Sequence, residues 1–230
     1  MLYPTQMVKD LGVTVSADLS WTPHINMIAE RAGKVASWVL SAFKTRDKAT
    51  MMTLYKSLVR SHLEYCCPLW NCFNDKDIQQ LEGMQRTFTS KIDGIQHEHL
   101  NYWQRLKALD LMPLQRRRER YLIIHMWKVL HCKCLNDIGI QFSVTLRHGQ
   151  KAVVPSIAKS SSQRNQALHD NSFAVTGPRF WNVIPTHMHT IEDLLQFKVA
   201  LTKFVKSSSA RASSSRIQPS EWKLLTGLEW

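Results

Sequence analysis

Apolar residues recur at helical spacing through most of the first 131 positions. Over 22–44 the stripe is Ile25, Ile28, Ala29, Ala32, Val35, Ala36, Val39, Leu40 and Phe43. Thr22 is its expected cap, and Pro23 takes the first helical position, where a missing N–H costs little. Over 47–67, Met51, Leu54, Tyr55, Leu58, Val59 and His62 recur three and four apart behind Asp47, whose carboxylate suits the free N–H groups of a first turn. Pro68 ends that helix and leaves Trp70 as a bulky anchor. A third helix over 75–93 carries Ile78, Leu81, Met84, Phe88 and Ile92, capped by Asn74 or Asp75 and stopped by Gly94. A shorter one over 99–110 turns Leu100, Trp103, Leu106 and Leu109 inward. After a corner at Met112-Pro113, another over 114–131 buries Tyr121, Leu122, Ile124, Trp127 and Val129.

The flanks are less periodic. Residues 7–15 read as a short strand broken by Gly12, its partner either 140–146 or a sheet outside these residues. Residues 141–146 also read as a strand, and the Ser-, Lys- and Pro-containing run after them as loop. In NSFAVTGPRFWNVIP, Phe173, Phe180 and Trp181 are spread around a turn at Gly177-Pro178. A last helix starts from Thr190, with Thr190 and Asp193 approximating a capping box, and docks through Ile191, Leu194, Leu195, Leu201 and Val205. The expected fold is mainly α. Residues 1–21 are a strand and linker, 22–131 a helical bundle, 132–206 a less regular module, and 207–230 a disordered tail.

Charge adds a partner class. The net charge is +12. Residues 1–110 hold 13 Lys and Arg against 11 Asp and Glu, whereas 111–230 hold 17 against 7. The second half therefore carries the field that attracts a polyanion. Its densest cluster is Arg116, Arg117, Arg118 and Arg120, at a helix N-terminus where the dipole disfavours cations. An anionic partner is one reason for such a cluster, and solubility of a helix with an apolar far end is another. Arg31, Lys34, Lys56 and Arg60 lie off the apolar stripes of their helices. They form either solvated faces or faces toward phosphates.

Several spaced segments resemble reverse transcriptases of LINE-type (non-LTR) retrotransposons, especially the jockey and chicken-repeat-like groups. LYKSLVRSHLEYCCPLWN (54–71) is similar to a segment that follows the polymerase palm in that family. VKDLGV resembles the strand that closes the palm and supports the primer end, with Leu11 and Gly12 at the motif positions. A basic stretch before Trp127, Lys128, Val129 and Leu130 matches the family. So do Ser172-Phe173, Trp181-Asn182 and Pro185, and Phe197-Lys198. The resemblance covers roughly residues 7–206. It implies a thumb-like bundle and a C-terminal module that grip RNA or an RNA–DNA hybrid, with palm and endonuclease domains of the parent polyprotein upstream.

The chemistry of that parent is not encoded here. Its polymerase needs paired carboxylates holding Mg²⁺, but this chain has no Asp-Asp pair, and its adjacent acidic pair Glu192-Asp193 opens a helix. The chain alone is therefore not expected to be an enzyme or to hold a cofactor. Asp75 and Asp77 read as first-turn carboxylates favoured by the dipole. Cys66, Cys67 and Cys72, and His125, His131, Cys132 and Cys134, lack the spacing of a zinc clamp. His97, His99, His187 and His189 read as surface residues. No apolar run reaches the ~20 residues of a membrane span. Five cysteines behind no secretory leader suggest a reduced, intracellular chain, nuclear or cytoplasmic. Two other readings stay open: a domesticated helical module that binds a protein partner through exposed aromatics, and a degenerate product without activity.

Overall fold

A computed structural model describes residues 5–71, 74–93, 100–136, 139–145, 149–155 and 162–212. Gly94, Cys72, His97 and His99 lie outside the described residues, as does the tail beyond 212. The fold is mainly α with short strands, and it divides into two compact units at Leu114/Gln115. The helix expected at 114–131 thus falls almost wholly with the second unit.

In the first unit, β1 (Met7–Asp10) and β2 (Val13–Ser16) pair with each other as an antiparallel hairpin, with Asp10 opposite Val13. The single strand expected at 7–15 instead turns back on itself at Leu11-Gly12. α1 (Thr22–Ala42) follows and buries Ile25, Ala32 and Val39. Thr22 is not its cap. The hydroxyl of Thr22 donates to Asp77 at 3.1 Å, giving a partner to a carboxylate that is buried rather than solvated. The C-terminus of α1 is closed by Arg46, whose guanidinium donates to the carbonyls of Leu40 and Phe43.

Asp47 does cap α2 (Lys48–Leu54), accepting from the Thr50 amide at 3.0 Å. That bond holds the Asp47 carboxyl below its ordinary pKa. A π-helical segment (Tyr55–Val59) and α3 (Arg60–Glu64) continue the rod. Beyond it, the indole N–H of Trp70 donates to the Tyr65 carbonyl at 2.8 Å, and the ring is fully buried. α4 (Asp75–Thr89) is capped by Asn74, and α5 (Tyr102–Ala108) starts with a capping box between Asn101 and Gln104.

α4 and α5 share a buried polar chain. The Tyr55 hydroxyl donates to Gln85 Oε1 at 2.7 Å, and Gln85 Nε2 donates to the Tyr102 oxygen at 2.9 Å and the Met112 carbonyl at 3.2 Å. The Tyr102 hydroxyl donates to Glu82 at 2.6 Å. Burial, with the Glu82 carboxylate beside it, pushes the Tyr102 phenol well above its ordinary pKa, so it stays a donor.

The second unit is built on α6 (Leu114–Leu130), a second hairpin of β3 (Phe142–Thr145) and β4 (Gly149–Ala152), and α7 (Gln163–Asn171), α8 (Phe173–Val183), α9 (Thr186–His189) and α10 (Leu194–Ala212). Its core gathers Trp127, Trp181 and Phe197, with ring centroids 5.9 and 6.0 Å from Phe197. The turn expected at Gly177-Pro178 is instead the interior of α8. Burial of Val175, Thr176, Phe180 and Trp181 on that helix outweighs the hydrogen bond Pro178 cannot make. Gly177 is needed there, because a Cβ would sit 2.8 Å from Met126 Sδ. α10 is capped by Asp193, which accepts from the Gln196 amide at 2.7 Å. The low-complexity run expected to be mobile from 207 continues the helix to Ala212. No helix among the described residues is long and apolar enough to cross a membrane.

Candidate nucleic-acid interface

The first hairpin turns at Leu11 (φ 44°) and Gly12 (φ 86°). Positive φ at both central residues is the turn whose twist matches paired strands. Glycine adopts it freely, whereas a residue with a Cβ is strained there by about 1–2 kcal/mol. Leu11 is 84 % exposed, so no burial offsets that strain. Its carbonyl accepts from the Tyr65 hydroxyl at 3.0 Å, which ties the turn to the end of α3.

The π segment sets which residues meet this turn. The fully buried positions are Met51, Tyr55, Val59 and Leu63, always four apart. At 3.6 residues per turn, each four-residue step overshoots by about 40°. Three such steps would carry the stripe well off the core, and the wider π turn winds it back. Ser61, His62 and Tyr65 then lie along a cavity of about 390 Å³. Lys9, Leu11 and Gly12 border it from the hairpin, and His24 and Arg31 from α1.

The structure thus brings Leu11 and Gly12, singled out as one motif, together with Arg31, singled out for its place off the apolar stripe of its helix. Lys9, His24, His62 and Tyr65 complete the rim and were not anticipated. Lys9 stands inside the VKDLGV segment, two positions before Leu11, but its role depends on the hairpin. Burial, then the charge of Arg31, lowers the pKa of His62, and burial lowers that of His24. Both rings are neutral near pH 7, and the cationic groups at the cavity are Lys9 and Arg31, each exposed. Lys34 is exposed and pairs with Glu30 at 2.6 Å. Lys56 is exposed on the π segment, and the half-buried Arg60 lies 3.7 Å from Glu64.

The second unit treats its arginines differently. Arg116 pairs with Glu119 at 2.8 Å, and Arg118 Nη2 and Nε donate to Gln115 at 2.8 and 3.2 Å. Arg117 donates to the Tyr121 hydroxyl at 3.0 Å, and Arg120 to Thr202 at 3.0 Å. Arg118 is 0 % exposed, and Arg116 is buried beside it. Burial pushes the Glu119 carboxyl up, with the Arg116 charge opposing. The signal for this internal use was present: Glu119 stands three residues after Arg116, and Gln115 three before Arg118, both on one helical face. Lys128 is half-buried on α6.

The remaining motif residues of this unit are structural pins. Trp127 donates to the Ile191 carbonyl at 2.8 Å. The Asn182 amide clamps β4, accepting from the Ala152 N–H and donating to its carbonyl, both at 2.9 Å. His189, expected at the surface, is buried and stacked on Trp181 at 4.7 Å, with its Nε2 3.2 Å from the Trp181 carbonyl. Among the described residues, no three His, Cys, Asp or Glu side chains are grouped to hold a metal ion.

No protein-family model and no solved structure matches this chain. Over 89 residues, 37 % of the chain, it is 28 % identical to a probable RNA-directed DNA polymerase from transposon X-element of Drosophila melanogaster. It spans about a tenth of that relative's length, the match covering 10 % of it. The likeness supports a relationship between this chain and the reverse transcriptases of LINE-type elements.

Proposed function

We propose that this chain is the post-palm segment of a LINE-type retrotransposon polymerase of the jockey or chicken-repeat-like groups and grips primer–template or element RNA without performing chemistry itself. The observation that carries this reading is the cavity of the first unit, where Leu11, Gly12, Lys9 and Arg31 meet. A hairpin tip held in a strained turn beside exposed cations suits close backbone approach to a phosphate chain. The cations named for this grip are Lys9, Arg31, Lys34 and Lys56, with Arg60 at its edge. The arginines of α6 hold the second unit together instead. Mg²⁺ belongs to the parent palm on this reading and has no part in these residues.

The test is fluorescence anisotropy with a labelled RNA–DNA hybrid, comparing the wild type with K9A/R31A and with R117A/R120A. The first pair is expected to weaken binding about 10-fold or more, as two lost phosphate contacts would. Loss confined to the second pair would move the grip to the second unit and overturn this assignment.

A further inference from the structure

A grip on duplex backbone needs cations and a surface, not a chamber. The cavity at the first hairpin holds more than that. At about 390 Å³ it falls in the range of small-molecule sites, which combine an apolar lining with a few placed polar groups. Met27, Ile28 and the ring of Tyr65 supply the apolar and aromatic lining, and Lys9 and Arg31 the charge. A bare phosphate would leave the apolar part uncovered, and an uncharged aromatic ligand would leave the cations unused.

His24 adds a second observation. It lines the cavity, is 1 % exposed, and accepts the Thr14 amide on Nδ1 at 3.2 Å. With Nδ1 accepting and burial keeping the ring neutral, the proton sits on Nε2. That Nε2 is buried and has no hydrogen-bond partner among the described residues, the ring standing edge-on to Trp70 with centroids 5.3 Å apart. A buried donor left unmade is costly, so a ligand that offers an acceptor here gains more than one at an open surface.

We infer that the cavity seats one unpaired nucleotide of a nucleic-acid strand. Its phosphate lies at Lys9 and Arg31, its base against Met27, Ile28 and Tyr65, and an acceptor on the base edge takes the His24 Nε2 proton. Base stacking on an aromatic ring tolerates every base, and every base carries an edge acceptor, so the slot reads an unpaired end rather than a sequence. Nε2 is closed off from solvent in the free chain. A base acceptor therefore reaches it only once the cavity wall rearranges. This inference rests on the nucleic-acid reading above and narrows it to a strand with a free nucleotide.

The experiment is a titration of the full chain with uridine monophosphate, read by the histidine ring signals in NMR. Inorganic phosphate and uridine serve as separate arms. Uridine monophosphate is expected to shift the His24 signals saturably at millimolar concentration, with each half binding at least about tenfold more weakly. His24→Asn, whose amide oxygen keeps an acceptor near the Nδ1 position for the Thr14 N–H while the Nε2 donor is removed, is expected to weaken binding by about 2–10-fold, read by the His62 ring signals. R31Q, on an exposed position that does not threaten folding, should weaken the nucleotide and leave uridine unchanged. Phosphate binding as tightly as the nucleotide, or no saturable shift at all, overturns the slot. A blunt RNA–DNA hybrid tested on the same wild-type protein reads the grip alone. Hybrid binding without nucleotide binding sinks only this inference, and nucleotide binding without hybrid binding sinks only the grip.

Discussion

Replacing Gln85 by Leu should destabilise the first unit more than any exposed substitution in it. Gln85 is fully buried on α4 and joins three partners: it accepts from Tyr55 and donates to Tyr102 and to the Met112 carbonyl. Leucine fills a similar volume but offers neither donor nor acceptor. The Tyr55 hydroxyl then loses the Oε1 acceptor, and the Met112 carbonyl loses its side-chain donor. Each buried polar group deprived in this way costs about 1–3 kcal/mol. Removing the amide itself from a buried site returns about 1 kcal/mol. The expected net loss is about 1–5 kcal/mol, a large share of the roughly 5–15 kcal/mol that holds a domain. Hydrogen exchange of the α4 amides reads it directly as a fall in opening free energy. Adding Tyr55→Phe to Gln85→Leu removes the deprived hydroxyl and should recover about 1 kcal/mol, a coupling that a double-mutant cycle isolates. A single variant within about 0.5 kcal/mol of wild type, or fully additive effects, would refute the reasoning.

Two glycines should respond with opposite signs. In α4 a Cβ on Gly83 meets nothing within 4 Å, so Gly83→Ala should raise stability by about 0.5–1 kcal/mol in urea denaturation. In α8 a Cβ on Gly177 would press on Met126 and on the Phe173 ring at 3.1 Å, so Gly177→Val should lower it by about 1–3 kcal/mol. Leu11→Asn converts the first turn to the Asn-Gly pair favoured there and should stabilise the hairpin by roughly 1 kcal/mol in thermal melts. His125, His131 and His189 all have pKa values lowered by burial in the second unit. The unfolded chain therefore binds protons near pH 6.5 that the folded unit refuses, so stability is full above that pH and falls as the pH drops below it. His189→Phe should flatten this dependence in pH-resolved denaturation, and an unchanged slope would remove His189 from the explanation.

The long amphipathic helices were legible because their stripes are wide and their caps local. α1, α4 and α6 fall within a few residues of the periodic segments. What the sequence hid has physical causes. A stripe four residues apart looks like an ordinary helix until its drift is counted, and the π segment is the correction. Leu11-Gly12 lacks the Asn-Gly or Asp-Gly signature, so the hairpin did not announce itself. Gly177-Pro178 is a strong turn signal, yet burial around it makes a helix. His189 sits among polar neighbours in sequence and becomes core only when α9 brings it onto Trp181. The α6 arginines read as a surface cluster because charge draws attention before the spacing of Gln115 and Glu119 does. For the interface, the Leu11-Gly12 motif and Arg31 were in view separately. Their meeting, with Lys9 and His24, depends on a fold-back that no local pattern records.

The most direct test of the central claim is the salt dependence of RNA–DNA hybrid binding by the intact chain. Four phosphate contacts, from Lys9, Arg31, Lys34 and Lys56, predict that log K falls with log salt at a slope of about −3 to −4. Reversing Lys9 and Arg31 to alanine should bring the slope to about −2. A slope near zero, or one untouched by those two substitutions, would contradict the grip placed at the first hairpin.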